Sequence, residues 1–259
     1  MSTLLRCLAI LAAVVLAVLL LTPVSHAAAS PVPQDGSPES ALLDAANHSR
    51  AAAGLPALQW DAALAAAARQ HAQRMVQQNA LSHQFPGELP LQERARQTGA
   101  RFSLIAENVA EGPSVLGLHT QWMNSPPHRA NLLDRELNAV GIAVMQGGNV
   151  LFAVEDFSAV VLRLGLDAQE LQVGSQLAAH GLRLLNTTDI ARRTCEMDRG
   201  WAGQRPVNVI RYETSDLSRL PADIEQRVLG GIYRSAAVGA CEASGSGGFT
   251  RYRIAILLY

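Results

Sequence analysis

The sequence predicts an α/β (α+β) protein: a three-layer α-β-α sandwich with a mainly antiparallel central sheet, plus a smaller C-terminal α/β unit. Three observations predict it. Apolar residues recur at helical spacing through the first half of the chain, the period changes to two from Asn138, and Val150 to Phe157 carries apolar residues on both parities. A strand that is apolar on both faces needs cover on both, which places helices above and below the sheet.

The chain has 259 residues, and its first 29 read as a secretory signal peptide. Arg6 precedes the apolar run Leu8 to Leu21, and small residues follow at Ser25, Ala27 and Ala29. The run is short for a permanent span, and an uncleaved anchor is the alternative. Cys7 stands at the start of this run, inside the signal segment, and leaves with it. Residues 30–40 are read as a linker, which is rich in Pro and Gly up to Gly36.

The sandwich is assigned to residues 41–158. Ser37, Pro38 and Glu39 supply an N-cap, a proline for the first turn and an acid near the positive helix end, with Gly54 as the stop. Leu42, Leu43, Ala46 and Ala53 give this helix its apolar face. Asp61 caps a second helix whose Leu64, Ala68, His71 and Met75 share a stripe toward Asn79. On that stripe His71 reads as a satisfied core histidine. Pro113-Ser114 opens a third helix with Val115, Leu118, His119 and Trp122 on one side. Asn124-Ser125-Pro126-Pro127 interrupts it, and a short helix restarts at Pro127 or His128. Val140, Ile142 and Val144 then alternate into the turn Gln146-Gly147-Gly148-Asn149, and the strand from Val150 follows.

The smaller unit is assigned to residues 165–259. Leu177 to Asn186 and Thr188 to Cys195 read as helices, Val207 to Thr214 as a strand, Pro221 to Leu229 as a short helix and Thr250 to Tyr259 as a final strand. Ser244 to Gly248 reads as a flexible loop, and no internal repeat is visible. Cys195 and Cys241 are the cysteines left after signal removal, and an oxidising compartment would join them. A reactive thiol is the alternative, but neither lies in a CxxC or beside a histidine. His180 reads as a solvated residue.

Composition excludes several chemistries. There is no lysine, so lysine nucleophiles, Schiff bases and SxxK hydrolases are out. The mature chain is slightly acidic and its basic runs do not exceed Arg192-Arg193, which argues against nucleic acid as a partner. No GxSxG, HExxH, phosphate loop or GxGxxG occurs.

Three patterns belong together: Leu81-Ser82-His83, Ala106-Glu107-Asn108-Val109-Ala110, and Trp122 to Leu133 (WMNSPPHRANLL). With Asn47 and Arg50, Gly54-Leu55 with Leu58, Val140-Gly141-Ile142 and Val154-Glu155-Asp156-Phe157, they resemble the CAP superfamily: cysteine-rich secretory proteins, antigen 5 and pathogenesis-related 1 proteins. The resemblance is greatest to its short bacterial SCP-like branch. It implies an α-β-α sandwich with a cleft of two histidines and two glutamates, in some members a site for zinc or another divalent cation. Position by position it assigns His83, Glu107 and His128 to that cleft. The fourth place falls near Asn124 or Ser125, where no acid stands; Glu111 or Glu155 would serve only if the fold brought one close.

The resemblance implies a secreted, periplasmic or cell-envelope protein, without a stable membrane span after signal cleavage, that binds a lipid, sterol, envelope component or divalent metal in this cleft, with His83 and His128 as metal ligands. One alternative is a metal-assisted hydrolase with Glu107 as general base. Another is an extracellular interaction scaffold with an idle cleft. Outside the resemblance, Glu107 reads as a local cap or ion-pair partner, Asn108 as a turn residue, and His128 as a residue of a helix first turn.

Overall fold

The computed structural model describes residues 33–243 and 248–259. The signal segment with Cys7, and the loop residues 244–247, lie outside them.

Helix α1 (Pro38–Ala52) starts as its sequence dictates: the Ser37 hydroxyl accepts from the Ser40 amide at 3.1 Å, and Pro38 sits where no amide hydrogen is needed. The predicted linker therefore ends before residue 38. Leu42 and Ala46 are buried with Arg50, while Ala53 is exposed beyond the helix end. Strand β1 (Gln59–Trp60) leads into α2 (Ala62–Gln78). There Asp61 accepts from the Ala63 and Leu64 amides, and Asn79 closes the helix in the left-handed conformation.

Next come α3 (Leu91–Gln97), β2 (Phe102–Gly112), α4 (Val115–Asn124), α5 (Pro126–Leu132), β3 (Ala139–Gly147) and β4 (Val150–Val160). The strand order is β1-β3-β4-β2, parallel only between β1 and β3. The sandwich is thus the predicted one. On one face α2 packs over Val109, Ala143, Phe152 and Val154; on the other, α1, α4 and α5 cover Ala110, Ile142, Ala153 and Phe157 around Trp122. Gly141 in β3 lets α2 approach, since a Cβ there would lie 2.0 Å from the Ala65 nitrogen.

Strand β2 is absent from the sequence reading. Asn108, expected in a turn, sits in its middle opposite Glu155.

The second unit holds α6 (Leu166–Ala179), β5 (Arg183–Leu184), α7 (Thr188–Glu196), β6 (Asn208–Thr214), α8 (Ala222–Leu229), β7 (Ser235–Cys241) and β8 (Tyr252–Leu258). The helix expected over 177–186 is corrected: α6 lies upstream, the chain turns at Gly181 with φ 87°, and Arg183–Leu184 is a strand. Cys195 on α7 is bonded to Cys241 on β7.

The strand order of this sheet is β5-β7-β8-β6, parallel only between β5 and β7. That reproduces the first sheet strand for strand. Gly239 in β7 takes the role of Gly141: a Cβ there would lie 2.1 Å from the Ala191 carbonyl carbon of α7. A repeat invisible in sequence is present in topology.

Candidate functional site

The site lies where β2, α5 and the loop between α2 and α3 meet. Glu107 on β2 points to the α2 face, paired across the sheet with Asp156 of β4, which in turn pairs with Gly141. His83 comes from the loop, and its Nδ1 lies 2.9 Å from Glu107 Oε1. His128 comes from α5, its ring centroid 6.3 Å from that of His83. The structure therefore brings His83, Glu107 and His128 close together.

Each is held by a named neighbour. Arg94 of α3 donates to the His83 carbonyl at 3.1 Å and to Glu107 Oε2, so both Glu107 oxygens are engaged. Its guanidinium also lies 3.7 Å from Glu88. His128 is placed through its backbone: Asn108 Nδ2 donates to the His128 carbonyl, while Asn131 Nδ2 donates to Asn108 Oδ1 and to the Glu107 carbonyl. These amides tie α5 to β2. Arg50, wholly buried, donates to the carbonyls of Pro56, Leu132, Asp134 and Leu137, and Asn47 exchanges two hydrogen bonds with Leu58. Those two residues are the frame for α5 and β1.

The two imidazoles are driven apart in basicity. The Glu107 hydrogen bond raises the His83 pKa above the usual imidazole value against the effect of partial burial. Burial lowers that of His128, and a charge on His83 adds to the effect. His83 is therefore the donor of the pair and His128 the neutral partner. The His83 side chain is 58% exposed, against 4% for Glu107. The reactive-looking carboxylate is thus the floor and the imidazoles are the surface.

Beside Glu107, on the neighbouring strand, lies an acid the sequence reading did not select. Asp156 is fully buried and neither of its oxygens has a hydrogen-bond partner among the described residues. Burial, then repulsion from Glu107, pushes its carboxyl well above the usual range. Next to it, Glu155 faces the opposite side of the sheet. It too is fully buried, with no hydrogen-bond partner for either oxygen among the described residues, and burial, opposed in part by the nearby Asn108 amide, pushes its carboxyl up to about 8.

Glu155 therefore does not stand in for the missing fourth acid. Glu111 does not either: it is exposed on β2, four residues from Glu107 and so about 13 Å along the strand. Asn124 is exposed at the end of α4 and Ser125 begins α5, and neither hydrogen-bonds to His83, Glu107 or His128. His71 is the satisfied core histidine expected, 2.8 Å from both Glu88 Oε1 and the Ser82 carbonyl, with no ring nitrogen left for a ligand. His180, expected to be solvated, pairs with Glu225 at 3.3 Å.

The donor set fits a resident zinc centre poorly. His83 Nδ1 is taken by Glu107, two imidazoles remain, and no group of three His, Cys, Asp or Glu suited to a metal exists among the described residues. Protein-held zinc sites use three or four protein ligands.

The family model CAP, cysteine-rich secretory protein family, matches residues 43–160. Residues 43–160 therefore resemble the CAP family, and the match covers less than half of the chain. The CAP domain is similar to the uncharacterized protein YkwD of Bacillus subtilis, 28% identical over 113 residues, which is 43% of this chain and 44% of that one. It is similar as well to the uncharacterized membrane protein YlbC of Bacillus subtilis, 31% identical over 110 residues, 41% of this chain and 31% of that one. Among solved structures, an extracellular protein containing a SCP domain from Bacillus anthracis is 29% identical, with 47% of this chain and 40% of that chain covered and a TM-score of 0.44. The chain spans less than half the length of each of these relatives.

Proposed function

We propose that this is an exported binding protein whose CAP cleft takes a ligand with a hydroxyl or carboxylate head group, such as a lipid or an envelope component, between His83 and His128. The observation that carries the reading is the pair of imidazoles with opposite pKa shifts, 6.3 Å apart beside Glu107. One offers a proton and the other accepts one: a hydroxyl can use both, and a carboxylate, which only accepts, can use the donor. Export is supported by the N-terminal apolar segment of the sequence and by the disulfide.

Hydrolysis through Glu107 is less well supported. A general base needs a free lone pair within reach of the reacting proton, whereas Glu107 is buried and spends both oxygens on His83 and Arg94.

The test is extraction and mass spectrometry of protein purified without detergent, alongside His83→Ala and His128→Ala. An enriched species in the unaltered protein that is lost from both variants is expected. Identical extracts from all three would overturn the reading. Zinc titration of the same proteins serves as a control, with weak binding expected.

A further inference from the structure

The two units are joined by a few hydrogen bonds, and the same bonds gather three arginines. The Val161 amide donates to the Arg101 carbonyl at 2.9 Å, the Thr250 amide to the Phe102 carbonyl at 2.8 Å, and the Tyr252 hydroxyl to the Leu162 carbonyl at 2.6 Å. Phe102 and Phe249 pack edge to face beside them. Arg101, Arg163 and Arg251 each stand next to one of these bonded residues. All three line two adjoining hollows of about 300 and 370 Å³ at the junction.

These cations are uncommitted. None of the three is in an ion pair among the described residues, and the residues outside that set contain no Asp or Glu. Arg101 is half-buried, its Nε has no hydrogen-bond partner among the described residues, its Nη2 makes a 3.5 Å approach to the Leu162 carbonyl, and its charge lies beside the Tyr252 hydroxyl. One carboxylate, the exposed Glu242, borders the larger hollow.

Two further features share that hollow. It is lined by Gly165 and Leu166, the start of the 14-residue α6, where no side chain caps the first amides and Asp167 turns away to Arg192. It is also lined by Gln169, buried, whose Nε2 donates to the Leu164 carbonyl while its Oε1 has no partner. A guanidinium cluster beside uncapped helix amides favours a phosphate group. An orphaned buried acceptor favours a hydroxyl donor on the same molecule.

We propose that this groove binds a phosphate ester carrying a free hydroxyl, of the glycerol-phosphate class. The arginines hold the phosphate and Gln169 accepts from the hydroxyl. The groove is separate from the His83–His128 cleft, so its test does not depend on the function proposed for that cleft.

Calorimetry on the full chain at low ionic strength would compare glycerol 3-phosphate, inorganic phosphate and sulfate. Co-sedimentation with phosphatidylglycerol and phosphatidylcholine vesicles would run in parallel. Glycerol 3-phosphate should bind about tenfold more tightly than inorganic phosphate or sulfate, as expected for one added buried hydrogen bond. Arg163→Gln and Arg251→Gln should each weaken it about tenfold. Gln169→Leu should erase the preference over inorganic phosphate, and His83→Ala should change nothing. Binding only to phosphatidylglycerol vesicles, with the same dependence on Arg163 and Arg251, would assign the phosphate to a lipid head group. The proposal is overturned by no binding to either form, by equal affinity for sulfate, by indifference to both arginine variants, or by loss in His83→Ala.

Discussion

The first sheet and the second share strand order, the single parallel pair and the glycine over which a helix crosses, yet they differ at their centres. Aligned on Gly141 and Gly239, the registers put Ala255 where the first sheet has Asp156, and Arg211 where it has Glu107. On the opposite faces, Ile254 stands at the place of Glu155 and Tyr212 at that of Asn108. The Arg211 guanidinium donates to the Thr194 and Gly200 carbonyls, whereas Glu107 orients a histidine. The topology therefore needs none of the buried acids. They persist in one copy at a cost in stability, which ties them to the site above rather than to the frame.

The largest test of this contrast is pH. A buried glutamate with a folded pKa of about 8, against the ordinary 4.5, holds a proton in the native state that the unfolded chain releases. Stability should therefore fall as pH rises from about 4.5 to 8 and level off above, by on the order of 5 kcal/mol at most. Asp156 acts in the same direction. Urea unfolding across that range should show the slope for the CAP domain, and Glu155→Gln should reduce it, leaving the share due to Asp156. An unchanged slope in that variant would remove Glu155 as the cause.

Next in size is the disulfide, which belongs to the second unit alone. Cys195 and Cys241 are 46 residues apart, and losing their bond should cost that unit about 4 kcal/mol in the chain-entropy model. Hydrogen exchange of reduced against oxidised protein should speed up for β7 and β8 while β3 and β4 keep their protection. Third come the shared glycines. Gly141→Ala and Gly239→Ala should each cost about 3 kcal/mol, because the new methyl meets helix backbone rather than a movable side chain. Equal losses would support a common frame, and a loss in one alone would break the parallel.

The smallest effect concerns the cleft. Glu107→Gln should return the His83 pKa toward the usual imidazole value, since the carboxylate hydrogen bond is the main cause of its rise. Nitrogen-detected titration of the ring would read this directly. A His83 value that stays raised would mean that Glu107 is not what holds the proton there.

Much of this could be read from residues. The helix starts at Ser37 and Asp61 follow from short-range capping, and the proline break after Asn124 follows from missing amide hydrogens. Strand β2 escaped because Glu107 and Asn108 interrupt its apolar pattern, although the fold buries both. Strand β7 escaped because Ser235, Ala236, Ala237, Gly239 and Ala240 are small, and their burial comes from helix contact rather than from bulk. At the site, His83, Glu107 and His128 sit in recognisable short patterns. Arg94 sits in an ordinary helical run, and Asp156 lies one residue past Glu155, so that only the face of a strand separates their roles. Such partners are set by packing at long sequence separation, which local pattern does not encode.

Strand β8, written last, is the middle of its sheet, hydrogen-bonded to β6 on one side and β7 on the other. A chain cut anywhere ahead of Tyr252 would not lose a dispensable tail. It would split the sheet at its middle and leave β6 and β7 with raw edges, open to zippering with a neighbouring molecule.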